Sequence, residues 1–292
     1  MNTFTIKDLE NLTGIKAHTI RIWEQRYSFL KPQRTQTNIR YYCNRELKMI
    51  LNIALLNKYG FKISHIDKMN EKELQEKIIS LSDVQACHER IENELIHYMI
   101  ELDMDKFEKI IDNYILAKGI DKTITQIIFP FLDRIGILWV ANQIHPVQEH
   151  LVMNVIRQKL IVGIEGLVTR TFVDKTVLLF LPEGEYHELG LLFAYYLLKS
   201  RGVRVLYLGA NVPLKDVEFV CNYKSPDYLY THLTCLTGNF TLDKFLVQKN
   251  LRIKSIPLVI SGQLAQAKFR KQYPTIHFKR SLPEVMEYIS SL

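Results

Sequence analysis

From about Asp83 to Val168, apolar residues return every three or four positions with few interruptions, the period of amphipathic helices. Four stretches fit, roughly 83–102, 104–117, 121–141 and 146–168, with Gly119 and the segment Asn142 to Pro146 as turns. Pro146 suits a first helical position, where its missing N–H costs nothing. The pattern predicts a four-helix bundle. Beyond Asp174 the period changes. Val177–Leu181, Val203–Tyr207, Tyr228–Leu233 and Ile256–Ile260 are short apolar runs, each followed by a helical segment, and a weaker run, Thr275–Phe278, precedes a last helix. Such alternation predicts a parallel, doubly wound sheet that holds ligands at the carboxyl ends of its strands.

The N-terminal part has a third pattern. Thr5-Ile-Lys-Asp8 forms a capping box for a short helix through Leu12, which Gly14 ends. A second helix runs from about Ala17 to Tyr27 with Ile20, Trp23 and Tyr27 on one face, and Pro32 blocks its continuation. The polar stretch Gln33 to Asn38 leads into Ile39-Arg-Tyr-Tyr42, a hairpin or wing. Helices near Arg45–Tyr59 and Ile63–Met69 follow, and the charged segment Asn70–Lys77 is expected to be a connector. The chain thus divides into a winged helix-turn-helix over 1–75, the bundle over 80–170, and a Rossmann-like (flavodoxin-like) domain over 171–292. The fold class is multidomain, α and α/β.

Charge is distributed unevenly over these parts. Residues 1–80 hold 14 Lys and Arg against 8 Asp and Glu, which leaves +6 of the net +7 there and +1 over the rest. A basic head on a neutral body points to a polyanion as partner of the head alone. In a helix-turn-helix that partner is double-stranded operator DNA. Lys16, His18, Thr19, Arg21 and Arg26 lie on the polar side of the second helix, suited to a major groove. Arg34, Asn38, Arg40 and Tyr41 on the wing suit phosphates. A helix-turn-helix used for protein contacts is the alternative.

Composition adds less. With 47% hydrophobic and 24% charged residues the chain is typical of a globular protein. No apolar run approaches the roughly 18 residues of a membrane span, so no membrane partner and a cytoplasmic location are expected. Cys43, Cys87, Cys221 and Cys235 are scattered without metal-site or disulfide spacing and are expected to be reduced core thiols.

The residues of the head resemble the MerR family of transcriptional regulators. Phe4 to Gly14 matches its first helix and turn. Thr19 to Tyr27, followed by Pro32-x-Arg34-Thr35-x-x-Asn38-x-Arg40-x-Tyr42, matches a subgroup with large sensory domains. The family's capping serine is Lys16 here, which removes a cap and adds a charge.

A candidate sensor site begins just after the first buried strand, at Glu185-Tyr-His187-Glu-Leu-Gly190. A histidine there is either a satisfied structural residue or a metal ligand. Ligation gains support because Glu185 can accept the ring's other N–H and fix its tautomer. Gly190 lets a bulky group approach the backbone. This segment resembles the cobalamin-binding motif Asp-x-His-x-x-Gly, with Glu185 in place of the aspartate. The resemblance implies that His187 ligates cobalt from below after displacing the cofactor's own base. The family's Ser-x-Leu element is Thr231-His232-Leu233 here, and its Gly-Gly pair is Ser261-Gly262, which adds a side chain where the nucleotide tail should pass.

In the bundle, Trp139 and the pair Glu149-His150 are, taken singly, a core aromatic and a solvated turn. Their spacing, Trp-x9-Glu-His, resembles that of the CarH-type photoreceptors, cobalamin-dependent MerR regulators. The resemblance extends over essentially the whole chain. It implies adenosylcobalamin between bundle and Rossmann-like domain, Trp139 over the adenosyl group, Glu149 and His150 on the same upper face, and Pro146 near it in place of an aliphatic residue. It also implies dimers that join into a tetramer in the dark, and His150 as a possible upper cobalt ligand after light. His88 and His97 are expected to be exposed, His145 to act as an N-cap, and His232 to sit at the cofactor edge without an assigned role.

The function that follows is a light-responsive, adenosylcobalamin-dependent repressor, not an enzyme. Two alternatives stay open: a MerR-type regulator with a degenerate cobalamin pocket, and a corrinoid carrier module of a methyltransferase.

Overall fold

The computed structural model describes residues 3–140, 144–169, 172–234, 241–266 and 274–292. It divides into two compact units, Met1–Val155 and Ile156–Leu292.

In the first unit, α1 (Ile6–Thr13) opens on the Thr5/Asp8 capping box and ends at Gly14, whose φ of 71° is left-handed. Helix α2 (Ala17–Arg26) follows, and Lys16 at its N-cap makes no side-chain cap bond, as its sequence implies. Strands β1 (Gln33–Arg34) and β2 (Arg40–Tyr41) pair antiparallel as the wing. Helices α3 (Asn44–Lys58) and α4 (Ile63–Ile66) complete the head, with Trp23, Ile53, Leu56 and Ile66 buried in one cluster.

The expected connector is instead helical. Residues Glu71–Ile79 form α5, capped by Asn70 and Glu73, and bury Leu74 and Ile78 in the head's core. Two apolar residues four apart suffice to dock a helix whose other positions are charged.

The bundle is built from α6 (Val84–Glu101), α7 (Met104–Lys118), a third segment, and α10 (Pro146–Glu165). The third segment is not one regular helix. It comprises α8 (Ile120–Thr123), a π-helical turn over Ile124–Ile128, and α9 (Phe129–Val140). Pro130, two residues past the π turn, has no N–H to donate, so the regular helical bonding is interrupted there. The division between units falls inside α10. The turn residue Asn142 lies outside the described residues.

The second unit has a five-stranded parallel sheet, β3 (Val173–Pro182), β4 (Val203–Val212), β5 (Tyr228–His232), β6 (Leu258–Ser261) and β7 (Ile276–Phe278). Between them run α11 (Leu189–Ser200), α12 (Leu214–Lys224) and α13 (Leu242–Arg252), and α14 (Leu282–Ser290) closes the chain. The spatial order is β4-β3-β5-β6-β7. This is the flavodoxin-like order, and its crevice opens where connections diverge, at the carboxyl ends of β3 and β5. Leu178, Phe180, Leu229, Phe245 and Leu258 are among the residues that form the unit's core. Among the described residues, no helix is long and apolar enough to cross a membrane.

Candidate functional site

The loop after β3 carries the first candidate residues into the crevice. Glu185 is buried there, and its carboxylate is fully engaged. Oε1 accepts from the backbone N–H of Tyr186 and of His187 at 2.9 Å each, and from the His187 ring Nδ1 at 2.6 Å. Oε2 accepts from the N–H of Thr234, just beyond β5, at 2.9 Å. Burial opposes the charged carboxylate, but the ring and backbone donors outweigh it and hold Glu185 at a pKa of about 2. An ionised acceptor at Nδ1 makes that nitrogen the donor and leaves Nε2 as the ring nitrogen that could bind a metal once deprotonated. The side chain of Glu185 is 3% exposed and that of His187 is 39% exposed, so the anchor is internal while the imidazole reaches the crevice.

Glu188 ties this loop to neighbouring elements. It accepts from the Tyr207 hydroxyl at 2.9 Å and pairs with Arg157, in the second unit's half of α10, at 3.0 Å. Neither contact had a signal in the residue pattern.

At the ends of β5 and β6, Thr231 and Ser261 are both fully buried. Ser261 is satisfied: its hydroxyl lies 2.7 Å from the Tyr230 hydroxyl and 2.8 Å from His232 Nδ1. Burial pushes the His232 imidazole down to about 4, with Glu185 opposing and His187 reinforcing the shift, so the ring is neutral near pH 7. Thr231 is not satisfied. Its Oγ1 is buried and has no hydrogen-bond partner among the described residues, an arrangement that costs about 1–3 kcal/mol unless a ligand meets it. Gly262 has φ of 91°, and a β-carbon there would overlap the carbonyl of Leu233, so glycine is required for backbone reasons alone. Gly190, at the start of α11, is covered by the ring of His232.

These residues fit a corrinoid in two respects. The Glu185 carboxylate orients the His187 ring through Nδ1, as the second shell of a ligating histidine does, and the Thr231 hydroxyl is buried and open to a polar partner. His187 and Glu185 would hold the metal side of cobalamin, with Gly190, Thr231, Leu233, Ser261 and Gly262 around it.

The remaining candidates lie in the first unit. Trp139, on the last turn of α9, is 42% exposed, which rules out the core-aromatic reading. Pro146 is the first residue of α10. His145 caps that helix, accepting from Val147 N–H at Nδ1 (3.2 Å). Glu149, in the first turn, is half-buried and His150 is exposed. Gln148 between them was missed by sequence reasoning: it is buried and donates to the carbonyls of Met99 and Ile100 at 3.4 and 3.0 Å, fixing the turn against the end of α6. Two other histidines differ from expectation. His97 is buried with its Nε2 3.3 Å from Glu101, and His88 is half-buried with its Nε2 2.8 Å from the Tyr114 hydroxyl. Charged neighbours in sequence concealed that both rings face other helices. Of the cysteines, Cys221 is buried, Cys43 and Cys87 are half-buried, all three are free, and Cys235 lies outside the described residues.

In the head, Lys16, His18, Arg21 and Arg26 are exposed along α2, and Thr19 is half-buried with its hydroxyl 3.3 Å from His18 Nε2. On the wing, Arg34 donates to the Asn38 side chain at 2.6 Å, and Asn38 itself takes φ of 64° to turn the hairpin. Tyr41 donates to Gln33 at 2.6 Å. Arg40 is committed differently: its Nε pairs with Glu24 at 2.9 Å, and the Tyr42 hydroxyl shares that carboxylate. It therefore braces the wing against α2 as well as carrying charge.

A basic helix-turn-helix with a wing, joined to helices and a flavodoxin-like sheet with a histidine at its switch point, defines a DNA-binding regulator with a cobalamin-binding sensor. Residues 4–73 match the MerR HTH family of regulatory proteins, and residues 91–162 match the B12 binding domain. The chain thus joins a MerR-type helix-turn-helix to a B12 binding domain, the make-up of a cobalamin-dependent transcriptional regulator. It is similar to the HTH-type transcriptional repressor CarH of Myxococcus xanthus, 27% identical over 233 residues that span 78% of this chain and 77% of that protein. The HTH-type transcriptional repressor CarA of the same organism is 27% identical over 227 residues, 77% of this chain and 74% of its own. Among solved structures, the monomethylamine corrinoid protein of Methanosarcina barkeri aligns with 70% of this chain and all of its own at 14% identity, with a TM-score of 0.48.

Proposed function

We propose that the chain is a light-responsive, adenosylcobalamin-dependent repressor that grips operator DNA as a dark oligomer and lets go on illumination. One observation carries the cofactor part of this reading: the Glu185–His187 pair, in which an ionised, buried carboxylate holds Nδ1 of a half-buried imidazole that reaches the crevice.

Bound adenosylcobalamin supplies a cobalt–carbon bond that visible light breaks. The chain's own residues do the rest. His187 would hold the metal, and Glu185 would keep its ring oriented. Trp139, exposed at the end of α9, covers the adenosyl side, with Pro146, Glu149 and His150 in the adjacent turn. His150 is the member of that turn able to bond a metal. Trp139 would cover the adenosyl group only while it is bound, so the helix that carries Trp139 would favour a different arrangement in light than in darkness. Such a ligand-biased equilibrium couples to self-association by the difference in ligand affinity between assembled and separate forms. Dimers that join into a tetramer engage repeated operator sites together, and separation weakens binding steeply while each head keeps its contacts.

The test is to load the purified protein with adenosylcobalamin in darkness, then record elution volume and a gel shift on the DNA upstream of its own coding region, before and after green light. A larger, DNA-retaining species in the dark and a smaller, released one after light are expected. The same size and the same shift in both conditions would overturn the reading.

A further inference from the structure

Corrinoids differ in whether a nucleotide base hangs from the ring on a flexible tether. If His187 takes the lower face of cobalt, a tethered base has to lodge elsewhere on that side. Next to His187 the wall is formed by the first turn of α11 and the carboxyl ends of β5 and β6, and the bare backbone of Gly190 is the obvious place for a flat group to lie. That place is filled. The imidazole of His232 lies directly on Gly190, so that a methyl group there would overlap its Cδ2, Nε2 and Cε1 atoms. The ring is held in position by the 2.8 Å contact between its Nδ1 and Ser261, whose hydroxyl is in turn 2.7 Å from that of Tyr230.

We infer that His232 is a specificity-determining residue, a side-chain plug that closes the space beside Gly190 to a tethered base and so favours corrinoids that lack the nucleotide tail. The inference rests on the assignment of His187 made above. A complete cobalamin enters only when the His232 ring swings out and gives up its Ser261 partner. A cobinamide, which has the same ring and cobalt but no nucleotide, leaves the plug in place. The cost of the displaced ring, a hydrogen bond together with its packing, corresponds to about a tenfold difference in affinity.

Equilibrium dialysis in darkness, on the full chain, tests this with adenosylcobalamin and adenosylcobinamide as probes. Wild type is expected to bind adenosylcobinamide about tenfold more tightly. His232→Ala is expected to tighten adenosylcobalamin by about that factor and to leave adenosylcobinamide unchanged. His232→Ser, smaller but still polar, should behave alike and guards against a folding defect in the alanine variant, with circular dichroism as the check on both. Wild-type preference for adenosylcobalamin, or an equal change for both probes in the His232 variants, would overturn the inference. A His187→Ala arm separates the two claims: if it binds both probes as wild type does, the axial assignment fails and this inference with it. If His187→Ala weakens both while His232→Ala changes no ratio, only the plug is wrong. Binding of neither probe to wild type ends both.

Discussion

Arg134, on α9, donates from Nη2 to the backbone carbonyl of Leu12, in α1, at 3.3 Å. The same guanidinium reaches Glu92 at 3.1 Å and Asn93 at 2.8 Å on α6, and Asn93 donates to the carbonyl of Leu51, on α3, at 3.4 Å. Trp139 lies five residues further along α9. The helix that carries the candidate cofactor contact is therefore tied directly to the first helix of the DNA-reading head.

Loss of this tie has a calculable cost. Burial raises the pKa of Glu92 against the pull of Arg134, so removing the cation leaves a carboxyl group that must either stay charged and unpaired or bind a proton. Arg134→Ala should lower stability by about 3 kcal/mol, and the double change Arg134→Met with Glu92→Leu should recover most of that. Urea unfolding of the three proteins checks it. Equal losses in the single and double variants would show that the pair is not what matters.

Glu185 offers a sharper separation of fold from cofactor. Glu185→Gln keeps an oxygen for the donors on the His187 side but turns an amide N–H toward that of Thr234. Cofactor affinity should fall about 10- to 100-fold with the fold retained, while Glu185→Ala should also cost about 3 kcal/mol by leaving buried N–H groups unpaired. Dialysis with adenosylcobalamin and thermal unfolding distinguish the two effects.

Leu102 ends α6 in the left-handed conformation, φ 58° and ψ 24°, and its side chain is largely exposed. A branched residue gains nothing there that glycine lacks. Leu102→Gly should stabilise the helical unit by about 0.5–1 kcal/mol, measurable as a higher urea midpoint. A lower midpoint would mean that the leucine packs usefully.

Lys249 is fully buried on α13 and donates to the carbonyl of Ile256 at 2.7 Å. Burial lowers its pKa from 10.5 to about 8, with Cys221 opposing. Between those values the unfolded chain holds a proton that the folded chain gives up, so this residue's contribution to stability rises with pH. Wild type should gain on Lys249→Met from pH 8 to 10.5, by up to about 1.4 kcal/mol per pH unit, with a constant difference below pH 8. Parallel stability curves across that range would contradict the assignment.

Much of this was legible in the chain. The bundle's helical period gave way to short apolar runs alternating with helical segments, which separated bundle from sheet, and the capping box at Thr5 and the bare cap at Lys16 came directly from residue type. Glu185 two residues before His187 signalled a ring-orienting carboxylate, and the structure has that bond. What local pattern could not show was which polar residues face inward. Arg134, His97 and Gln148 are polar residues whose burial depends on elements far away in sequence. The α5 helix was missed for the opposite reason: only Leu74 and Ile78 dock it, and its charges dominated. The covering of Gly190 by His232 joins residues 42 positions apart, beyond what spacing can reveal.

The central claim is that the His187 imidazole bonds the metal of a corrinoid. Its most direct test is the dark absorption spectrum of adenosylcobalamin bound to wild type and to His187→Ala. With wild type, the spectrum should show the cofactor's own base displaced and a protein imidazole in its place, and the variant should fail to retain the cofactor or should hold it with a different spectrum. An identical bound spectrum from both proteins would contradict the account.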